Sequence, residues 1–278
     1  MINIGALSLV IITANFVFSW KGLQNRSFFN RYNFEIERIL VYKEYIRLIS
    51  SGFLHVSWMH LFFNMLSLCL FSFYLEPALH PLTYLVLYFG SLIGGNLLSL
   101  YLHRHNPPYS AVGASGAVCG VIFACIALYP GMNIHLFGLL SIPGWVYGLG
   151  YVLYAIYGIR SKDDNIGHDA HLGGGLVGLL IACVSTPEIL LTNTATIVTI
   201  LAPAVFFIYV IIHKPYLLLV DNLYYRQNNL FSDIDHRYNF EKANKQKELD
   251  AILEKIHSKG INSLSKQERD TLERLSQE

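Results

Sequence analysis

Ser115 sits between glycines in the run Gly113-Ala114-Ser115-Gly116, and His171 precedes a second small-residue run that includes Gly174 and Gly178. A serine hydroxyl attacks a carbonyl well only when a neighbouring base takes its proton, and imidazole is suited to that task near neutral pH. Glycine on both sides of a serine lets the backbone turn sharply into a helix, leaving the first peptide N–H groups without partners and free to meet a developing oxyanion. Gly174 and Gly178 form a GxxxG face, across which another backbone can approach closely. If that neighbour is the helix lined by Gly116 and Gly120, Ser115 and His171 come within reach of each other. Each motif also has a plain structural reading: small residues pack membrane helices, and a lone histidine at a span end can be satisfied by a carbonyl.

A third cluster is His55, His60 and Asn64. His60 and Asn64, four apart, stack on one helical face, where both can donate hydrogen bonds toward the bundle interior; the plain structural reading is a polar clasp to a neighbouring helix. No histidine, cysteine or carboxylate set has the spacing of a metal site, so no metal and no cofactor is expected. Cys69, Cys119, Cys125 and Cys183 all lie in apolar stretches and read as packing residues.

The elements that must hold these groups are membrane helices. The 278-residue chain is 53% hydrophobic and only 14% charged, against about 25% for soluble domains. A net charge of +1 leaves no basic face for nucleic acid. Stretches of about 20 apolar residues mark seven candidate spans: 2–20, 58–75, 82–102, 113–129, 136–159, 168–186 and 194–213. The expected fold is an all-α polytopic transmembrane bundle, with a six-span core in 1–186, an additional transmembrane helix in 187–213 and a polar tail over 214–278. The aromatic-rich loop between the first two spans reads as an ordered piece at the interface. In the tail, 241–257 has the spacing of an amphipathic helix, and Ser265 with Glu268 forms a capping box that opens a second one.

The order HxxxN, GxSG, AHxxGxxxG resembles the rhomboid family of intramembrane serine proteases, over roughly residues 1–186. Arg47 in the first long loop and His55 fit the same resemblance. It implies that Ser115 is the nucleophile and His171 the general base of a dyad without an acid. It also implies that His60, Asn64 and the Ala114–Ser115 backbone stabilise the oxyanion, and that the partners are single-span membrane proteins within the lipid bilayer. Asp169, two residues from His171, reads as a span-end residue, and His168 receives no role. The resemblance puts the N-terminus in the cytoplasm, whereas lysines and arginines concentrated in the first loop argue for the opposite orientation. In a bacterium the host membrane would be the inner one.

Two departures from the family pattern stand out. Four residues after Ser115, where an aromatic commonly packs on the catalytic histidine, this chain has Cys119, so the imidazole must be braced otherwise. Ile46 precedes Arg47 where a tryptophan is common. A non-catalytic relative that binds transmembrane segments is the competing reading, although such proteins usually lack the serine or the histidine. A transporter would need paired mid-span charges or an inverted repeat, and neither is visible.

Overall fold

The computed structural model describes residues 5–136, 140–161 and 166–213, with residues 252, 255, 256, 265 and 272 of the tail. By its internal contacts the chain divides into two compact units, Met1–Tyr224 and Tyr225–Glu278. The two helices expected in the tail fall outside the described residues except at those five positions.

The first unit is a helical bundle. α1 (Ala6–Gln24) leads into a folded loop made of α2 (Arg26–Tyr32), β1 (Phe34–Glu35), α3 (Ile36–Leu40) and α4 (Arg47–Ser50), which ends in a single 3-10 turn at Ser51–Phe53. The long helices α5 (Trp58–Leu75) and α6 (Pro81–His103) follow, then β2 (Ser110–Ala111) and α7 (Ser115–Leu128). A hairpin of β3 (Asn133–Leu136) and β4 (Leu140–Pro143) precedes α8 (Gly144–Ser161), α9 (His168–Ser185), α10 (Ile189–Thr192) and α11 (Thr194–His213). Local chemistry sets several boundaries. The Asn25 side chain accepts from the Phe28 N–H to open α2, Ser57 accepts from the His60 N–H to open α5, and Pro81 at the start of α6 has no N–H to leave unpaired.

Among the described residues, α1, α5, α6, α9 and α11 are long and apolar enough to cross a bilayer, and α7 is apolar but only 14 residues long. Large apolar side chains such as Phe16, Val86, Val184 and Phe206 lie exposed on the outer faces, as lipid contact requires. The fifth expected span needs correction: it begins at Gly144 rather than at residue 136, because Asn133–Leu136 and Leu140–Pro143 pair antiparallel as β3 and β4. That run is as apolar as a span, but Pro143 closes it ahead of α8.

α7 is the central helix, with every residue from 116 to 127 buried. Such a helix is apolar all round because it touches protein on all sides. The loop between α1 and α5 has a small core of its own, with Phe34, Ile36 and Ile39 packed against Leu48, Leu100 and Tyr109. Its β1 pairs antiparallel with β2, Phe34 opposite Ala111, which ties the loop to the segment leading into α7. Arg47 is almost wholly buried: it donates to the Asn33 carbonyl and side-chain oxygen, both at 2.7 Å, to the Asn30 carbonyl at 3.0 Å, and to Glu44 at 2.6 Å. Away from this loop, the Glu76 carboxylate at the end of α5 accepts from the Leu7 and Ser8 N–H groups at 2.9 and 3.0 Å, so it caps the free first turn of α1.

Candidate active site

The turn into α7 depends on glycine. Gly113 has φ +135°, a region L side chains rarely adopt. A Cβ there would come within 3.0 Å of His60 Nε2 and 3.6 Å of Ser115 Oγ, so both groups border the hollow over Gly113. The Gly113 N–H donates to the Ser51 carbonyl at 3.0 Å, and the Ala114 N–H donates to His55 Nε2 at 3.4 Å. The second bond turns the Ala114 N–H toward His55, while the Ser115 N–H stands at the start of α7, where the first turn has no partner within the helix.

His55 is the anchor of this turn. The Ser19 hydroxyl donates to the Phe53 carbonyl at 2.9 Å, so at 2.8 Å it accepts from His55 Nδ1, which leaves Nε2 bare to receive the Ala114 N–H. Burial, reinforced by the neighbouring His60, lowers the His55 pKa to about 3, so the ring is neutral at physiological pH. The two imidazoles meet edge to face, centroids 4.9 Å apart. On α5, the buried Asn64 amide donates to the His60 carbonyl at 3.0 Å with one of its two hydrogens. His60 Nδ1 is buried with no hydrogen-bond partner, which suits a ring whose proton is on Nε2, the nitrogen bordering Gly113.

α7 and α9 meet backbone to backbone. A Cβ on Gly174 would fall 2.1 Å from the Gly116 carbonyl oxygen, and one on Gly178 would fall 2.2 Å from that of Gly120. The contacts advance by four residues on each helix, so the two run parallel, and one turn before Gly174 brings His171 level with the turn carrying Ser115. α6 closes the third side antiparallel to both. A Cβ on Gly95 would meet the Ala170 carbonyl at 2.4 Å, and the Cβ of Ser91 fills the space beside Gly120. The other face of His171 belongs to α8, where Tyr151 Oη lies 2.9 Å from His171 Nδ1 and 3.1 Å from Cys119 Sγ.

Asp169 is buried and turned toward α6, with its Oδ2 3.1 Å from His103 Nε2, a close contact off the line of a good hydrogen bond. The His103 ring stacks on Tyr109, centroids 3.6 Å apart. His168 is buried edge to face with Tyr154. Among the described residues, no cluster of histidine, cysteine, aspartate or glutamate could hold a metal ion.

The pattern described as a rhomboid domain matches residues 42–188, just over half of the chain. The chain belongs to the rhomboid family. Residues 232–278 match a second pattern, a family of unknown function, DUF6576. Rhomboid protein 1, mitochondrial, of Saccharomyces cerevisiae is 35% identical over 151 residues, covering 51% of this chain and 43% of the yeast protein. RHOMBOID-like protein 12, mitochondrial, of Arabidopsis thaliana is 25% identical over 189 residues, covering 63% and 56%. Inactive RHOMBOID-like protein 8 of the same plant is 33% identical over 109 residues, covering 39% and 26%. The chain thus spans about half the length of the first two relatives. Both are mitochondrial by name, so membership does not point to a bacterial membrane; this rhomboid is a multi-pass integral membrane protein.

The rhomboid domain takes in Ser115, His171, His60 and Asn64 together. Tyr151 was not singled out by the sequence. It is one of four tyrosines in α8, and the only signal for it was indirect: Cys119 stands where an aromatic was expected. The bond from His55 to Ala114 was likewise not legible, because the two residues lie 59 positions apart.

Proposed function

We propose that this protein is an intramembrane serine endopeptidase that cleaves single-span membrane proteins with a Ser115/His171 dyad. The observation that carries the reading is the glycine seam between α7 and α9, whose parallel register brings serine and imidazole to one level at one end of the bundle. His171 Nε2 takes the hydroxyl proton as Ser115 Oγ attacks the substrate carbonyl carbon. The Ser115 N–H, His60 Nε2–H and the second hydrogen of the Asn64 amide then face the oxyanion. Collapse breaks the peptide C–N bond, His171 returns the proton to the departing amine, and water releases the acyl group by the same steps in reverse order. Each oxyanion donor is worth about 3 kcal/mol of transition-state stabilisation.

A second reading, a non-catalytic binder of transmembrane segments, is favoured by one observation: a relative bears the word inactive in its name. One experiment separates the two. The full-length protein in detergent micelles is treated with a serine-directed fluorophosphonate and the adduct mapped by mass spectrometry. The peptidase reading expects labelling at Ser115 that disappears in both Ser115→Ala and His171→Ala, and labelling that survives both substitutions overturns it. Reconstitution with single-span proteins and mapping of the cut then identifies substrates.

A further inference from the structure

We propose that Tyr151 is a positioning residue that sets the tautomer of His171, through a hydrogen-bond chain running from the imidazole to the phenol and ending on the Cys119 sulfur. The inference rests on the peptidase reading and adds to it the group that orients the base. The chain is short and closed: His171 Nδ1 to Tyr151 Oη is 2.9 Å, and Tyr151 Oη to Cys119 Sγ is 3.1 Å. It joins three helices. Cys119 lies one turn after Ser115 on α7, so the phenol from α8 bridges α7 and α9 directly beside the dyad. The ring is held in place, with Phe123 meeting it edge-on at 5.9 Å and Tyr147 lying 6.0 Å away.

Only one proton arrangement of the chain permits catalysis. To accept the Ser115 proton at Nε2, His171 must carry its own proton on Nδ1, and that N–H needs an acceptor. Tyr151 Oη is that acceptor when its own hydrogen points to the Cys119 sulfur, a weak but sufficient acceptor. The reverse arrangement, phenol donating to Nδ1, puts the imidazole proton on Nε2 and leaves no base for the serine. Cys119 therefore gives the hydroxyl hydrogen a destination away from the ring. After proton transfer the same oxygen faces the charged imidazolium and stabilises it. A small side chain at position 119 also leaves the space that a tyrosine from another helix occupies.

The test uses the full-length protein and the fluorophosphonate probe, in whose reaction the Ser115 Oγ–phosphorus bond forms, the phosphorus–fluorine bond breaks and His171 takes the hydroxyl proton. Labelling is resolved into the saturable binding constant KI and the maximal rate kinact. Tyr151→Phe should lower kinact on the order of tenfold, the equivalent of one hydrogen bond to a charged group, with KI unchanged. Cys119→Ala should lower kinact in the same direction, and Cys119→Ser, which restores an acceptor of similar size, should recover most of the loss. The cysteine pair keeps the test decisive should the tyrosine variant fail to fold, since loss in alanine and recovery in serine does not follow from packing alone. Wild-type kinact in Tyr151→Phe, or equal rates in Cys119→Ala and Cys119→Ser, overturns the inference while leaving the peptidase reading intact. A wild-type protein that does not label at Ser115 removes both.

Discussion

The contact of α9 with α7 and its contact with α8 are built from opposite materials. The first is glycine against carbonyl, with no side chain between Gly174 and Gly116 or between Gly178 and Gly120. The second is made by side chains, through the Tyr151 phenol and the edge-to-face contact of Tyr154 with His168. A backbone seam cannot absorb even one added methyl group, whereas a side-chain seam can re-orient. The difference divides the labour: the glycine seam fixes how far apart the helices carrying Ser115 and His171 stand, and the tyrosine seam holds the His171 ring from its other side.

Substitutions can break or sharpen this contrast. Gly178→Ala would bring its methyl group within 2.2 Å of the Gly120 carbonyl oxygen, on an atom that cannot move cheaply. It should cost about 3 kcal/mol of stability, seen as a lowered Tm in micelles, and remove fluorophosphonate labelling. A fully active, stable Gly178→Ala would mean the seam is looser than its geometry. His55, tied by side chains to α1 and to the Ala114 backbone, tests the other class through pH. Its folded pKa near 3 lies below the ordinary value of 6.5, so the unfolded chain binds a proton there first. Its contribution is intact above pH 6.5 and is lost progressively between pH 6.5 and about 3, amounting to about 2 kcal/mol by pH 5. His55→Gln should therefore lose less stability than wild type on going from pH 7 to pH 5, and identical slopes would exclude a buried neutral His55. Removal of the α1 cap in Glu76→Ala should cost about 1 kcal/mol in thermal unfolding, since water or Ser8 can replace part of it. The smallest effect belongs to Gly150→Ala on α8, where an added Cβ meets nothing within 4 Å. It should change stability by only a few tenths of a kcal/mol, toward greater stability, because alanine favours helix.

The bundle was legible because membrane spans announce themselves by length and apolarity, and Ser115, His171, His60 and Asn64 stood out as candidates because polarity is costly there. The β3–β4 hairpin was not, since a run of Ile, Leu and Phe reads alike as strand or span until its proline is weighed. Tyr151 was hidden for a different reason. Tyr147, Tyr151, Tyr154 and Tyr157 share one helix and one residue type, and only the packing of α8 beside α9 selects the one that meets His171. His55 carries the same lesson, because a contact between a loop and a distant backbone N–H leaves no periodicity in the chain.

The brevity of α7 has a geometric consequence for the proposed peptidase. In the parallel register with α9 the two helices finish almost level at their far ends, so the shortfall of α7 lies entirely at Ser115. At 1.5 Å per residue, α9 begins about 7 Å beyond the level at which α7 begins. An extended peptide spans about 3.3 Å per residue, so under the proposed peptidase reading that offset corresponds to roughly two residues of unwound substrate beside the scissile bond. The proposed peptidase then asks of its substrate flexibility close to the cleavage point before it asks for any one side chain.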